Sequence, residues 1–189
     1  MTTDPHPWAC DLSRLYDESW LRLIRGVHDR HAPARHPTLA TVTPEGRPQA
    51  RTVVLRAADK ATATLDIHTD LRSAKVEHLR NTPYAALHVW DATAHLQLRL
   101  EAHVTLLTGL DVTAIWESVP AMSRLSYGST PAPGQRIAQA LDYTKVADPE
   151  SFVILRLAVA TVDVLHLGPN HRRAQFARSD NWAGTWLAP

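Results

Sequence analysis

The sequence predicts a mostly β fold: a barrel or sandwich of about six antiparallel strands with peripheral α-helices. Three observations predict it. The apolar pattern is helical only near the N-terminus and then switches to strict alternation. The alternating runs are short and separated by turn-forming Pro, Gly, Asp and Asn. They recur along the rest of the chain without an internal repeat, at the spacing of a barrel or sandwich.

The totals agree. A chain of 189 residues suits one domain, and 44% hydrophobic residues suffice for a core. With 20 basic and 19 acidic residues, the formal charge is +1, which gives no general attraction to nucleic acid or acidic lipid. The lone Cys10 excludes an internal disulfide, and the absence of a secretory h-region makes the cytoplasm the expected compartment. No apolar run reaches the ~18 residues of a membrane span. Only Lys60, Lys75 and Lys145 are lysine, so a lysine in a candidate site weighs more than an arginine.

Residues 1–10 are Pro-rich and read as a loose arm. Leu12, Tyr16, Trp20, Leu23 and Val27 recur every three or four residues, so the N-terminal helix falls within 11–31, with Ser13 as the expected N-cap. "TLATVT" alternates, "PEGRP" turns, and "QARTVVLR" (Gln49–Arg56) reads as one return strand. Strands follow at Thr62–Thr69, Tyr84–Trp90 and His95–Leu107. A helix over Ser73–Arg80 ends before Pro83. A helix is expected from Asp111 to about Val119 and a shorter one near Gln135–Leu141. Residues 120–150 form the longest irregular stretch, and such stretches are often functional. Phe152–Leu167 fits one long strand or two with a bend, and Ala174–Arg178 closes the chain as a short strand.

Several chemistries lack their motifs. There is no G-x-G-x-x-G, no Walker loop, no G-x-S-x-G elbow and no paired cysteine. The eleven histidines form no H-E-x-x-H set, so no metal site is expected. The basic turn "NHRRAQF" lacks the surrounding basic and aromatic residues of a nucleic-acid surface. In "RTVVLR", strand alternation would point Arg51 and Arg56 to opposite faces. In "HTDLRSAK", a helix start follows a strand end, and the free N–H groups of a first helical turn attract anions. Ser73 and Lys75 there fit either a phosphate turn or a capped, solvated helix start. Gln97, Arg99 and Glu101 share one face of their strand, opposite Leu96, Leu98 and Leu100.

In this order, "RTVVLR", "IHTDLRSAK", "RNTPYAALHVW", "LQLRLEA", "HRRAQF" and "WAGTWLAP" resemble the pyridoxamine 5'-phosphate oxidase family, over roughly residues 35–189. The resemblance implies an FMN-binding split barrel and a homodimer with FMN at the subunit interface. It makes Arg51, Thr52, Val53, Val54 and Leu55 a cofactor-binding strand, with Arg51 reaching the phosphate. It lays His68 and Thr69 along the flavin, with His68 where the family enzyme has tyrosine. Ser73 and Lys75 match the phosphate turn, but Ala74 replaces an arginine, leaving Arg72 as the candidate substitute. Gln97 matches a glutamine that hydrogen-bonds the flavin ring.

The substrate side departs further. Arg56 stands for a substrate-touching lysine, Ile115 and Val119 replace a phosphate-holding tyrosine and arginine, and Ser123 is retained. His171 and Arg173 occupy the positions of an R-x-H pair. The expectation is an FMN-dependent oxidoreductase of the uncharacterised branch, with no catalytic residue singled out and the substrate unassigned. The alternatives are a non-catalytic flavin carrier or sensor, and a true pyridoxamine 5'-phosphate oxidase with a rebuilt pocket.

Overall fold

A computed structural model describes residues 5–189; residues 1–4 of the expected loose arm lie outside them. The remainder of that arm is packed. Pro7–Cys10 is a 3-10 turn that buries Ala9 completely and lays Trp8 against the core, with the Arg22 guanidinium 4.9 Å from the Trp8 ring. Burial of these apolar side chains outweighs the Pro-rich character that suggested a mobile arm. Helix α1 (Leu12–His28) is capped by Asp11, whose carboxylate accepts from the Arg14 amide at 2.9 Å; Ser13 instead lies within the first turn. Its apolar stripe buries Leu15, Trp20 and Leu23. Gly26 lets the backbone of Ala34 come close: a Cβ there would lie 2.6 Å from the Ala34 carbonyl carbon.

Among the described residues the core is one antiparallel sheet of nine strands, against the six or so expected. They are β1 (Thr38–Val42), β2 (Pro48–Thr52), β3 (Leu55–Asp59), β4 (Thr64–Asp70), β5 (Tyr84–Asp91), β6 (Leu96–Leu107), β7 (Phe152–His166), β8 (Arg172–Ala177) and β9 (Thr185–Leu187). The order is β2-β1-β5-β6-β7-β4-β3, with β8 and β9 added beside the second half of β7. Strand β6 buries Leu96, Leu98, Leu100, Ala102 and Val104 and turns the residues between them outward, as its alternation predicts. Strand β7 runs unbroken for 15 residues, and Ala160 is bulged out of the β6 ladder.

The expected single strand over Gln49–Arg56 is two. Strand β2 pairs with β1 at one end of the sheet, and β3 pairs with β4 at the other. Only Val53 and Val54 join them, so the two end strands approach within at most about 11 Å. The sheet therefore curls into a barrel with a seam between β2 and β3: a split barrel. A second irregularity follows, because the β3–β4 register slips between Leu55 and Ala57 and leaves Arg56 as an extra, bulged residue.

The helices are peripheral: α2 (Ala74–Asn81), α3 (Thr113–Ser118) and α4 (Ala121–Arg124). The stretch Gly109–Val112 is a 3-10 turn ahead of α3. No helix forms at residues 135–141. Ile137 and Leu141 are 40% and 81% exposed, so there is no buried face to stabilise one.

Candidate functional site

The seam opens into a cleft of about 370 Å³. It gathers Arg51 to Val54 from the end of β2 and the link, Arg56 from the bulge, His68 and Thr69 from β4, and Ser73 and Lys75 from the start of α2. Arg51 and Arg56 thus face the same space. Strand alternation opposes the two side chains only in an unbroken strand, and the break at Val53–Val54 and the bulge at Arg56 bring them to one side. Leu55 does not reach the cleft; it is fully buried in the core.

The cleft is cationic and short of counter-charge. Lys75 donates from Nζ to Thr69 Oγ1 at 2.9 Å and to Ser73 Oγ at 3.1 Å. Ser73 in turn donates to the Asp70 carbonyl at 2.7 Å, so its hydroxyl does not cap α2. Burial, and then the charge of Arg51, hold the Lys75 ammonium below the usual lysine range. Burial also pulls the Arg51 guanidinium down. Arg56 Nε is buried with no hydrogen-bond partner. Among the described residues none of these three cations is in an ion pair. A desolvated, uncompensated cation cluster is stabilised by an anion.

Arg72 is placed differently from its expected role. Its guanidinium is taken by Asp70, with Nε to Oδ1 at 3.0 Å and Nη2 to Oδ2 at 2.7 Å, and Nη2 also donates to the Ser129 carbonyl at 3.0 Å. The Gly128 amide donates to the same carboxylate at 3.0 Å. Burial pushes Asp70 up, but these hydrogen bonds together hold it below the usual carboxylate range. The Arg72–Asp70 pair is therefore a clamp on the loop after α4.

That loop brings in Tyr127, which sequence reasoning had not singled out. Tyr127 and Ser126 line the cleft beside His68. Beneath them, Phe152 meets the rings of His68, Tyr127 and Trp116 at 5.0, 5.0 and 5.2 Å. Ile115 packs against this cluster, and Val119 is part of it. Burial, reinforced by the Arg56 charge and only partly offset by Asp66, lowers the His68 pKa to about 4, so the ring is neutral at pH 7.

Besides Leu55 and Arg72, four expected residues are not among those that line the cleft. Gln97 is on the outer face of β6 and meets His88 at 3.3 Å. Ser123 lies in α4, and His171 is exposed just before β8. Arg173 donates from Nη2 to Asp163 Oδ2 at 2.9 Å, a carboxylate that Arg99 also engages at 2.8 Å.

Residues 17–108 match the family model of the pyridoxamine 5'-phosphate oxidase FMN-binding domain. A pyridoxine/pyridoxamine 5'-phosphate oxidase of Xanthomonas axonopodis pv. citri is 32% identical over 155 residues, covering 80% of this chain and 68% of that protein. The chain belongs to the pyridoxamine 5'-phosphate oxidase family. A second member, from Arabidopsis thaliana, is 29% identical over 171 residues, covering 81% of this chain and 85% of the relative. Against other members the chain spans less: 62% of the Cyanothece oxidase and 40% of the Gloeothece one. The crystal structure of a pyridoxamine 5'-phosphate oxidase-related, FMN-binding protein from Nostoc punctiforme superposes with a TM-score of 0.74 at 27% identity, covering 100% of this chain and 99% of that one. PhzG from Burkholderia lata shares the fold, with a TM-score of 0.71 at 19% identity.

FMN is the cofactor of this family, and the cleft fits it. A phosphate dianion needs cations and hydroxyl donors with no competing carboxylate. Arg51 and Lys75 supply the cations, and Thr69, which only accepts from Lys75, keeps a hydroxyl hydrogen to donate, while Asp70, the acidic side chain among the described residues lining the cleft, is already engaged by Arg72 and Gly128.

Proposed function

We propose that this chain, read as a single FMN-binding domain, is an FMN-dependent oxidoreductase acting on a small molecule. Arg51, Ser73 and Lys75 take the phosphate, and Thr69 and the Thr52–Val54 link flank the rest of the cofactor. The observation that carries this reading is the Arg51–Lys75 cluster, without an ion pair among the described residues, in a cleft that Arg56, His68 and Tyr127 also line. Bound FMN supplies the two-electron redox chemistry; the protein supplies binding and orientation. Arg56, with its unpartnered Nε, is the side chain we assign to an acidic group on the substrate.

We further propose a homodimer. Gln97 points outward on the same face of β6 as Glu101 and His103, which line an apolar groove of about 440 Å³ with Ala40, Tyr84 and Ala86. A second copy on this face would cover the groove and carry its own Gln97 toward the first. The proposed compartment is the cytoplasm; among the described residues, no helix is long and apolar enough to cross a membrane.

A flavin carrier or sensor is the second reading. It is favoured by the engagement of Arg173 with Asp163 and by the absence of Ser123 and His171 from the cleft lining, which leave the substrate end sparse. The names of the relatives make pyridoxamine 5'-phosphate the first substrate to assay. Steady peroxide production with it, above that with pyridoxamine, identifies an oxidase with a rebuilt phosphate pocket. Turnover with NAD(P)H and another acceptor supports the broader oxidoreductase. A yellow protein whose flavin none of these reduces is the carrier.

A further inference from the structure

Arg51 and Lys75 come from different elements, and a buried relay joins them. Arg51 donates from Nη1 to the Leu39 carbonyl at 3.2 Å and to Thr41 Oγ1 at 2.7 Å. The Thr41 hydroxyl, on β1 and 2% exposed, also meets Nδ1 of His78 at 3.0 Å. His78 is 8% exposed and lies on α2, one turn after Lys75. The helix that presents Lys75 therefore also fixes, through Thr41, the guanidinium from β2. Neither Thr41 nor His78 lines the cleft.

A guanidinium only donates, so Thr41 Oγ1 accepts from Arg51; the hydroxyl keeps a hydrogen and a second lone pair, so it bonds Nδ1 of His78 in either ring tautomer. Without the hydroxyl, Arg51 keeps only the Leu39 carbonyl, and a long side chain with one anchor loses its fixed direction.

From this geometry we infer that Thr41 and His78 are positioning residues for phosphate recognition, acting through Arg51 and not on the ligand. The inference rests on the phosphate site proposed above. It predicts a defect confined to phosphorylated flavin.

The test is titration of purified apoprotein with FMN and with riboflavin, followed by quenching of flavin fluorescence. Thr41→Val and His78→Leu should each weaken FMN about five- to tenfold, the scale of one lost hydrogen bond, with riboflavin unchanged. His78→Asn, which keeps a hydrogen-bonding atom near the Nδ1 position, should recover most of the loss. In an Arg51→Ala background, Thr41→Val should cost nothing more. Equal losses for both flavins, additive losses, or no loss in either variant overturn the relay. If Arg51→Ala itself leaves the FMN-to-riboflavin ratio unchanged, the phosphate site fails. If Arg51→Ala collapses that ratio and neither relay variant does, only the relay fails. Thr41 and His78 are separate breaks in one chain, so a folding defect in one variant leaves the other to decide.

Discussion

Arg72 holds the buried carboxylate of Asp70 through two hydrogen bonds, and the Gly128 amide completes the clamp from 58 residues away. The Arg72 guanidinium is thereby engaged away from the proposed phosphate site, two residues before Ala74. Arg72→Ala should leave the preference for FMN over riboflavin unchanged. It should also loosen residues 126–130 and lower stability by about 1–3 kcal/mol, because Asp70 keeps only amide partners. Hydrogen exchange across that loop, compared with flavin titration, checks both halves.

Gly128 is the tightest point of the same loop. Its φ is +122°, and a Cβ would lie 2.3 Å from the Val146 carbonyl oxygen and 2.7 Å from Asp148 Cβ. Gly128→Ala should displace Tyr127 and destabilise the fold by about 2 kcal/mol or more. Urea unfolding of the variant beside wild type measures it, and an unchanged midpoint would contradict the packing described.

The depressed pKa of His68 has a signed consequence. Its folded value is about 4 against an ordinary 6.5, so between those pH values the unfolded chain binds a proton that the folded chain does not. Its contribution is full above about pH 6.5 and is lost as pH falls toward 4. His68→Gln should flatten the pH dependence of stability in that window relative to wild type. Matching slopes for the two proteins would show that His68 titrates normally.

The proposed dimer face is alanine-rich, and Ala86 is an exposed part of its lining. Ala86→Arg places a charge on an apolar contact and should convert a dimer to a monomer in sedimentation velocity while leaving the thermal melt of the chain largely intact.

Much of the frame was legible. The alternation of β6 marks its inner leucines one by one, the three-to-four spacing marks α1, and the order of "RTVVLR" and "HTDLRSAK" marks the family. What was not legible is non-local. Val53 and Val54 continue a β pattern, and nothing beside them signals that the chain is leaving one end of the sheet for the other. Arg56 reaches the cleft by a bulge that depends on its pairing with β4. Arg72 looked free because the burial of Asp70 and the approach of Gly128 depend on a loop far along the chain. Tyr127 carried one weak signal, an aromatic before glycine in the longest irregular stretch. The Thr41–His78 contact spans 37 residues and has no local signature.

The proposed role of the barrel seam is that of a phosphate-selective flavin site. Calorimetric titration of the wild-type apoprotein with FMN and with riboflavin tests it directly. Two desolvated cations and their hydroxyl partners should favour FMN by about a hundredfold or more. Equal affinity for the two flavins, or failure to bind either, would contradict it.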